Sequence, residues 1–204
     1  METFKIWSNE YLSVNTPGYH NTYYIGYKSD GNPDYLNDLK NTFGTTNSTI
    51  LSDALLMVYS KLLQDIPGIV SAERLVAPIC VCVPRSKANM AESQMYFRDA
   101  VSGASQRIAG VEDGSNVIVR TINTRTTHIK KECEGFLNDG DMPYPGITKA
   151  TCQIDSRRIR GRDVILIDDI YTKNVNIDED CIQAMYDNGA NRVVFYSIAL
   201  TRRG

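Results

Sequence analysis

The sequence has no G-x-G triplet, and none of its glycines is followed by lysine. The first absence excludes the glycine fingerprint of dinucleotide-binding folds, and the second excludes the phosphate loop of P-loop nucleotidases. No run of 18 apolar residues occurs, so no stretch reads as a membrane-spanning helix. The opening residues, METFKIWSNEY, carry no basic segment ahead of an apolar run, which argues against a secretory leader there. A cytoplasmic setting is the expectation. The five cysteines (Cys80, Cys82, Cys133, Cys152 and Cys181) form no C-x-x-C pair. Their odd number and irregular spacing argue against a disulfide framework or a zinc site and favour buried thiols. His20 and His128 stand far from any metal-ligand cluster. The net charge of −2 shows no basic excess, so neither a nucleic-acid nor a membrane partner is expected.

With 204 residues and 42% hydrophobic content, the chain can build one full core. It is read as a single α/β domain: a variable N-terminal hood over 1–46, a core over 47–204, and a candidate lid over 121–150. In the hood, Tyr23–Tyr27 reads as a short strand. Leu51, Leu55, Val58 and Leu62 recur at helical spacing, which predicts a helix over 48–65 stopped by Pro67–Gly68. Leu75–Val83 is a near-continuous apolar run, as an interior parallel strand requires, and Cys80 and Cys82 share one of its faces. A helix is expected over 89–109 and a short strand at Val117–Val119. Residues 121–150 are polar and punctuated by Gly and Pro, with some helix expected near His128–Glu134. A stretch of that kind suits a mobile lid.

The last third is the most legible. Val164–Ile167 reads as a buried strand with Asp168 and Asp169 at its carboxyl end. The loop Thr172–Asn176 leads into a helix over 177–188, with Asn176 as N-cap and Glu179 closing a capping box. Asn188–Gly189 stops that helix, and Val193–Ile198 is the next strand. A strand, loop, helix and strand in this order make a right-handed parallel crossover, and open parallel sheets bind ligands beyond the carboxyl ends of their strands. A helix start suits a phosphate, Thr172 adds a hydroxyl and Lys173 a charge, while two carboxylates suit sugar hydroxyls. A receiver domain also has an acidic pair, but near its start and with more chain after it. The arginine-rich stretch 157–162 reads as a solvated turn.

Val164–Asn176, followed by Gly189–Ala190 and a strand, resembles the phosphoribosyl pyrophosphate (PRPP) signature of type I phosphoribosyltransferases. The wider pattern is most similar to the competence-associated (ComF-type) and amidophosphoribosyltransferase-like branch. Val83–Pro84–Arg85–Ser86, Arg120 with Arg125–His128, and Ile198–Arg202 contribute to it. The likeness covers about 75–203 and is clearest over 164–199. It implies an open, mostly parallel sheet flanked by helices with a small hood. It also implies transfer of ribose 5-phosphate from PRPP to an unidentified acceptor, with Mg²⁺ carried by PRPP. By the same resemblance, Asp168 and Asp169 hold the ribose hydroxyls. Thr172, Lys173, Asn174, Val175 and Asn176 hold the 5-phosphate. Arg85, Ser86 and Lys87 face the pyrophosphate, and Arg125, Lys130 and Lys131 are cationic contacts from the lid. His128 is a further candidate in the lid. Asn174 stands where the family has Gly, Asn176 where it has Thr or Ser, and the branch's C-x-x-C module is missing. The altered loop keeps a second reading open, a PRPP- or nucleotide-binding regulator without transferase activity. A homodimer is compatible with the sequence.

Overall fold

The computed structural model describes residues 1–129 and 137–202. In chain order its strands are β1 (Glu2–Ile6), β2 (Thr16–Tyr24), β3 (Ile79–Cys82), β4 (Glu112–Asp113), β5 (Ile118–Arg120), β6 (Cys152–Ile154), β7 (Asp163–Tyr171) and β8 (Arg192–Thr201). Its helices are α1 (Tyr35–Lys40), α2 (Ser48–Glu73), α3 (Tyr96–Arg107), α4 (Ile147–Thr151), α5 (Ser156–Ile159) and α6 (Ile177–Asp187). The main sheet runs β1-β2-β8-β7-β3-β4, and β5 pairs with β6 in a small second sheet. Every pairing in the main sheet is parallel except β1 with β2. The protein is therefore α/β, with a mostly parallel mixed sheet flanked by helices. Among the described residues no helix is long and apolar enough to cross a membrane.

Strand β7 sits inside the sheet because both its faces are apolar. Ile165 and Ile167 join the core on the α2 and α3 side, with Cys80 and Cys82. Val164 and Leu166 join the core on the α6 side, with Cys181, Ile182 and Met185. The four β7 residues are each about 1% exposed or less, and full burial of an aliphatic side chain contributes roughly 1.5–3 kcal/mol. The expected parallel crossover is present, with Val164 beside Val193 and Ile79 beside Val164.

Several expectations need correction. The N-terminal segment is more than a hood, because β1 and β2 extend the main sheet past β8. The expected strand at 23–27 starts seven residues earlier, at Thr16. Pro67 does not stop α2; it lies inside the helix on the solvent side, while Ile66 and Ile69 stay buried and carry the helix on. The apolar run at 75–83 is strand only from Ile79, because Arg74 and Ala77 adopt left-handed backbone angles ahead of it. The helix expected over 89–109 begins at Tyr96. A short 3-10 turn over Glu92–Gln94 precedes it, held by Gln94 donating to the Asn41 and Thr42 carbonyls.

Within the expected lid over 121–150, described residues on both sides of 130–136 are anchored by hydrogen bonds to the rest of the fold and to one another. Thr124 donates its backbone N–H to the Ser86 carbonyl (2.7 Å), and Arg125 to that of Asp141 (2.9 Å). Asn138 accepts from the Thr126 N–H (2.7 Å). Asp180 accepts from the Gly146 and Thr148 N–H groups and ties α4 to α6. Most of the helix expected near 128–134, and Cys133, lie outside the described residues.

Candidate functional site

The site follows from where β3 and β7 part. The Val83 N–H donates to the Ile167 carbonyl (2.9 Å), and Pro84, which has no N–H, turns the chain away. On its other flank β7 stays paired with β8 through Tyr171. Asp168 and Asp169 therefore lie within the observed strand rather than past its end. They stand where one neighbour has left and a cleft of about 670 Å³ opens.

Consecutive strand side chains point to opposite faces, and the two acids part accordingly. Asp169 pairs with Lys40 at the end of α1 (3.4 Å). Asp168 faces the carboxyl group of Asp178 in the first turn of α6. Asp168 keeps a face on the cleft, yet loss of solvent is the largest influence on it and raises its pKa. The charge of Asp169 adds to that rise, and Lys40 opposes it. Asp178 is pushed well up by burial and by Asp168.

Beyond β7 the chain forms a tight loop. Thr172 and Thr201 share a hydroxyl hydrogen bond (2.7 Å), and the Val175 N–H donates to the Thr172 carbonyl (3.2 Å). Asn174 and Asn176 both take left-handed backbone angles, φ 72° and 64°. Asn is the non-glycine side chain that tolerates this region best, so Asn174 suits this turn. Among the described residues, the N–H groups of Asn174, Asn176, Ile177 and Asp178 have no acceptor within the protein. Successive unpaired amides around left-handed residues form an anion-binding concavity. The predicted cap is not formed. Asn176 makes no side-chain cap, and its Oδ1 accepts instead from Asn9 Nδ2 (3.1 Å). Glu179 is turned inward to accept from the Tyr171 hydroxyl (2.7 Å), so the capping box is absent. The left-handed angle at Asn176 aims its side chain away from the helix start, which explains both failures.

Across the cleft, Arg85 donates through Nη1 to the Gln94 carbonyl (3.0 Å), and Ser86 bonds the Thr126 hydroxyl (2.6 Å). Lys87 reaches the Asp139 carboxylate (2.6 Å) and the carbonyls of Thr124 and Asp139, bracing two parts of the 121–150 segment. Arg120 is internal: it donates to the Arg85 carbonyl (2.6 Å) and to Thr151 and fixes the base of the loop. Arg125 lines the cleft, while Lys130 and Lys131 lie outside the described residues. His128 is on the wall. Its poorly solvated position and the cations Lys40 and Arg85 hold its imidazole down to about 4, against the pull of Asp169, so it is neutral at physiological pH.

One cleft thus gathers Asp168, Asp169, residues 172–175, Arg85, Ser86, Lys87 and Arg125. Asn176 shapes the loop from outside the lining. Sequence reasoning missed Lys40, Asp178, Tyr24 and Asn37, which also line the cleft. Lys40 has no local signal, because α1 comes from the segment read as a hood. Acids in a helix's first turn are so common that Asp178 looked ordinary. Five cations (Lys40, Arg85, Lys87, Arg125, Lys173) face three carboxylates (Asp168, Asp169, Asp178), so the cleft favours an anion in a chain of net charge −2. Among the described residues no group of three or more His, Cys, Asp or Glu is placed to hold a metal. No protein-family model matches the chain, and no curated protein matches it.

Proposed function

We propose that the cleft binds PRPP and transfers its ribose 5-phosphate to an acceptor nucleophile, releasing pyrophosphate, as in type I phosphoribosyltransferases. One observation carries this reading: the two carboxylates of β7 and the loop whose amides find no acceptor among the described residues border one cation-rich cleft. The carboxylates suit a sugar diol, the amides of Asn174, Asn176, Ile177 and Asp178 suit a terminal phosphate, and Arg85 and Arg125 suit the diphosphate. The resemblance of Val164–Asn176 to the PRPP signature supports it independently.

In this reading the C1–oxygen bond of PRPP breaks with its electron pair leaving on pyrophosphate. The acceptor's lone pair then forms the new bond to C1. The protein contributes orientation and electrostatic stabilisation of the leaving group, and no covalent nucleophile is required. Mg²⁺ enters as part of the substrate.

A second reading, binding without transfer, is favoured by one feature. Asn176 occupies the position of a phosphate-facing hydroxyl, yet its side chain is bonded to Asn9. The test is pyrophosphate release from Mg²⁺·PRPP with pooled candidate acceptors, for the natural protein and for Asp168→Asn with Asp169→Asn. Acceptor-dependent release lost in the double variant supports transfer. Binding without release supports the second reading. No binding at millimolar PRPP overturns both.

A further inference from the structure

Asp178 is a third acid in the cleft, and its surroundings differ from those of the other two. Its side chain is 5% exposed. Its Oδ1 is buried without any hydrogen-bond partner, and its carboxyl faces that of Asp168. Of the two cleft lysines on this side, Lys40 is engaged with Asp169 on the opposite face of β7, and Lys173 stands in the loop ahead of α6. The other titratable and charged groups around the pair include Asp169 and Tyr171 on β7, Arg85 beyond β3, the buried Cys82 thiol on β3, and Glu179 and the buried Cys181 thiol on α6. Arg85 acts on the Asp168–Asp169 side, and Glu179 adds a further acid beside Asp178. A buried carboxylate with one orphan oxygen, facing a second carboxylate, cannot stay ionised at reasonable cost, whereas a carboxyl donating its proton to the neighbour can.

We propose that Asp178 is a positioning residue that carries a proton and donates it to Asp168, fixing the Asp168 carboxylate so that its other oxygen meets a hydroxyl of the bound sugar phosphate. This rests on the proposed PRPP reading and deepens it. The shared proton also keeps a third negative charge away from the amides at the start of α6, where the phosphate would sit. Burial and the neighbouring acids raise both groups of the pair, in agreement with one retained proton. As the pH rises, loss of that proton would set two charges against each other and against an anionic ligand. Affinity for PRPP therefore falls on the alkaline side.

Two measurements separate this proposal from the reading beneath it. The first needs no ligand: the infrared difference between the natural protein and Asp178→Asn at neutral pH. A protonated-carboxyl carbonyl band in the natural protein, absent from the variant, is expected; an ionised-carboxylate band in its place overturns the proposal. The second is calorimetric titration with Mg²⁺·PRPP from mildly acidic to alkaline pH. Asp178→Ala is expected to weaken binding by roughly tenfold. Asp178→Asn, which keeps a donor toward Asp168, should rescue most of that loss and remove the alkaline decline. An Asp178→Asn protein as weak as Asp178→Ala, or one that keeps the alkaline decline, overturns the proposal. If the natural protein takes no PRPP, the PRPP reading fails, and the infrared band still decides where the proton lies.

Discussion

Strand β7 begins at Asp163 and carries Asp168 five residues later, and the fold treats these two carboxylates in opposite ways. Asp163, 6% exposed in its side chain, accepts from the Val76 N–H (3.1 Å), Asn191 Nδ2 (2.8 Å) and Arg192 (3.2 Å). Loss of solvent works to raise its pKa, but these bonds together prevail and lower it. Asp168 accepts from its neighbour's N–H and faces another acid, and its pKa is raised. The amino end of the sheet is an electrostatically satisfied base. There Glu112 is also gripped by Arg158 and Arg162, so the basic stretch 157–162 serves the fold. The carboxyl end keeps unpaired amides, left-handed asparagines and surplus charge, which is the condition of a site prepared for a ligand.

The contrast predicts stability effects of opposite sign. Asp163→Ala strands three donors and should cost about 3 kcal/mol in urea unfolding. A cost near zero would mean that the amino end is not the anchor described. Asp178→Asn removes an acid that the folded state must keep protonated, so stability at neutral pH should rise by about 1 kcal/mol or more. A clear loss would show Asp178 to be an ionised structural partner. The pH dependences also differ in sign. The folded pKa of Asp163 is lowered, so its contribution is present above its unfolded value and is lost as pH falls through the folded one. The Asp168–Asp178 pair is raised, so its cost begins above the unfolded carboxyl value of about 4 and grows with pH. The advantage of Asp178→Asn over the natural protein should therefore widen from acid to alkaline pH in thermal melts.

Much of the contrast was legible in the sequence. β7, β8 and α6 were readable because unbroken apolar runs and helical spacing are set by burial on both faces. From them, the rule that parallel sheets bind ligands at their carboxyl ends pointed to Asp168, Asp169 and the 172–175 loop, while Arg85–Lys87 came only from the resemblance to the PRPP signature. β2 was not readable at full length. Its sequence, TPGYHNTYY, shows no alternation, and its Gly18 serves a close approach: a Cβ there would lie 2.7 Å from the Phe4 ring. β4 has only two residues, too few to leave a pattern. The cap at Asn176 was misjudged because its backbone is left-handed and its side chain accepts from Asn9, a contact 167 residues away in sequence. Lys40 and Asp178 stayed hidden for the same reason: their roles depend on which distant acid they meet.

Smaller changes sharpen the picture. Asn174→Gly should relieve the left-handed strain and stabilise the protein by about 0.5 kcal/mol. Destabilisation would indicate that the Asn174 side chain itself holds the loop. Lys40→Met breaks a part-buried pair and should alter stability by less than about 1 kcal/mol in chemical denaturation. A larger loss would make α1 part of the sheet's anchoring.

The most direct test of the contrast is to follow backbone amides by nuclear magnetic resonance during titration with Mg²⁺·PRPP. Saturable shifts should concentrate at Asn174, Asn176, Ile177 and Asp178 and along Arg85–Lys87. The amino end, including Val76, Glu112 and Asp163, should stay still. No shifts at millimolar ligand, or shifts centred on the amino end, would contradict the assignment of this cleft to a ribose phosphate.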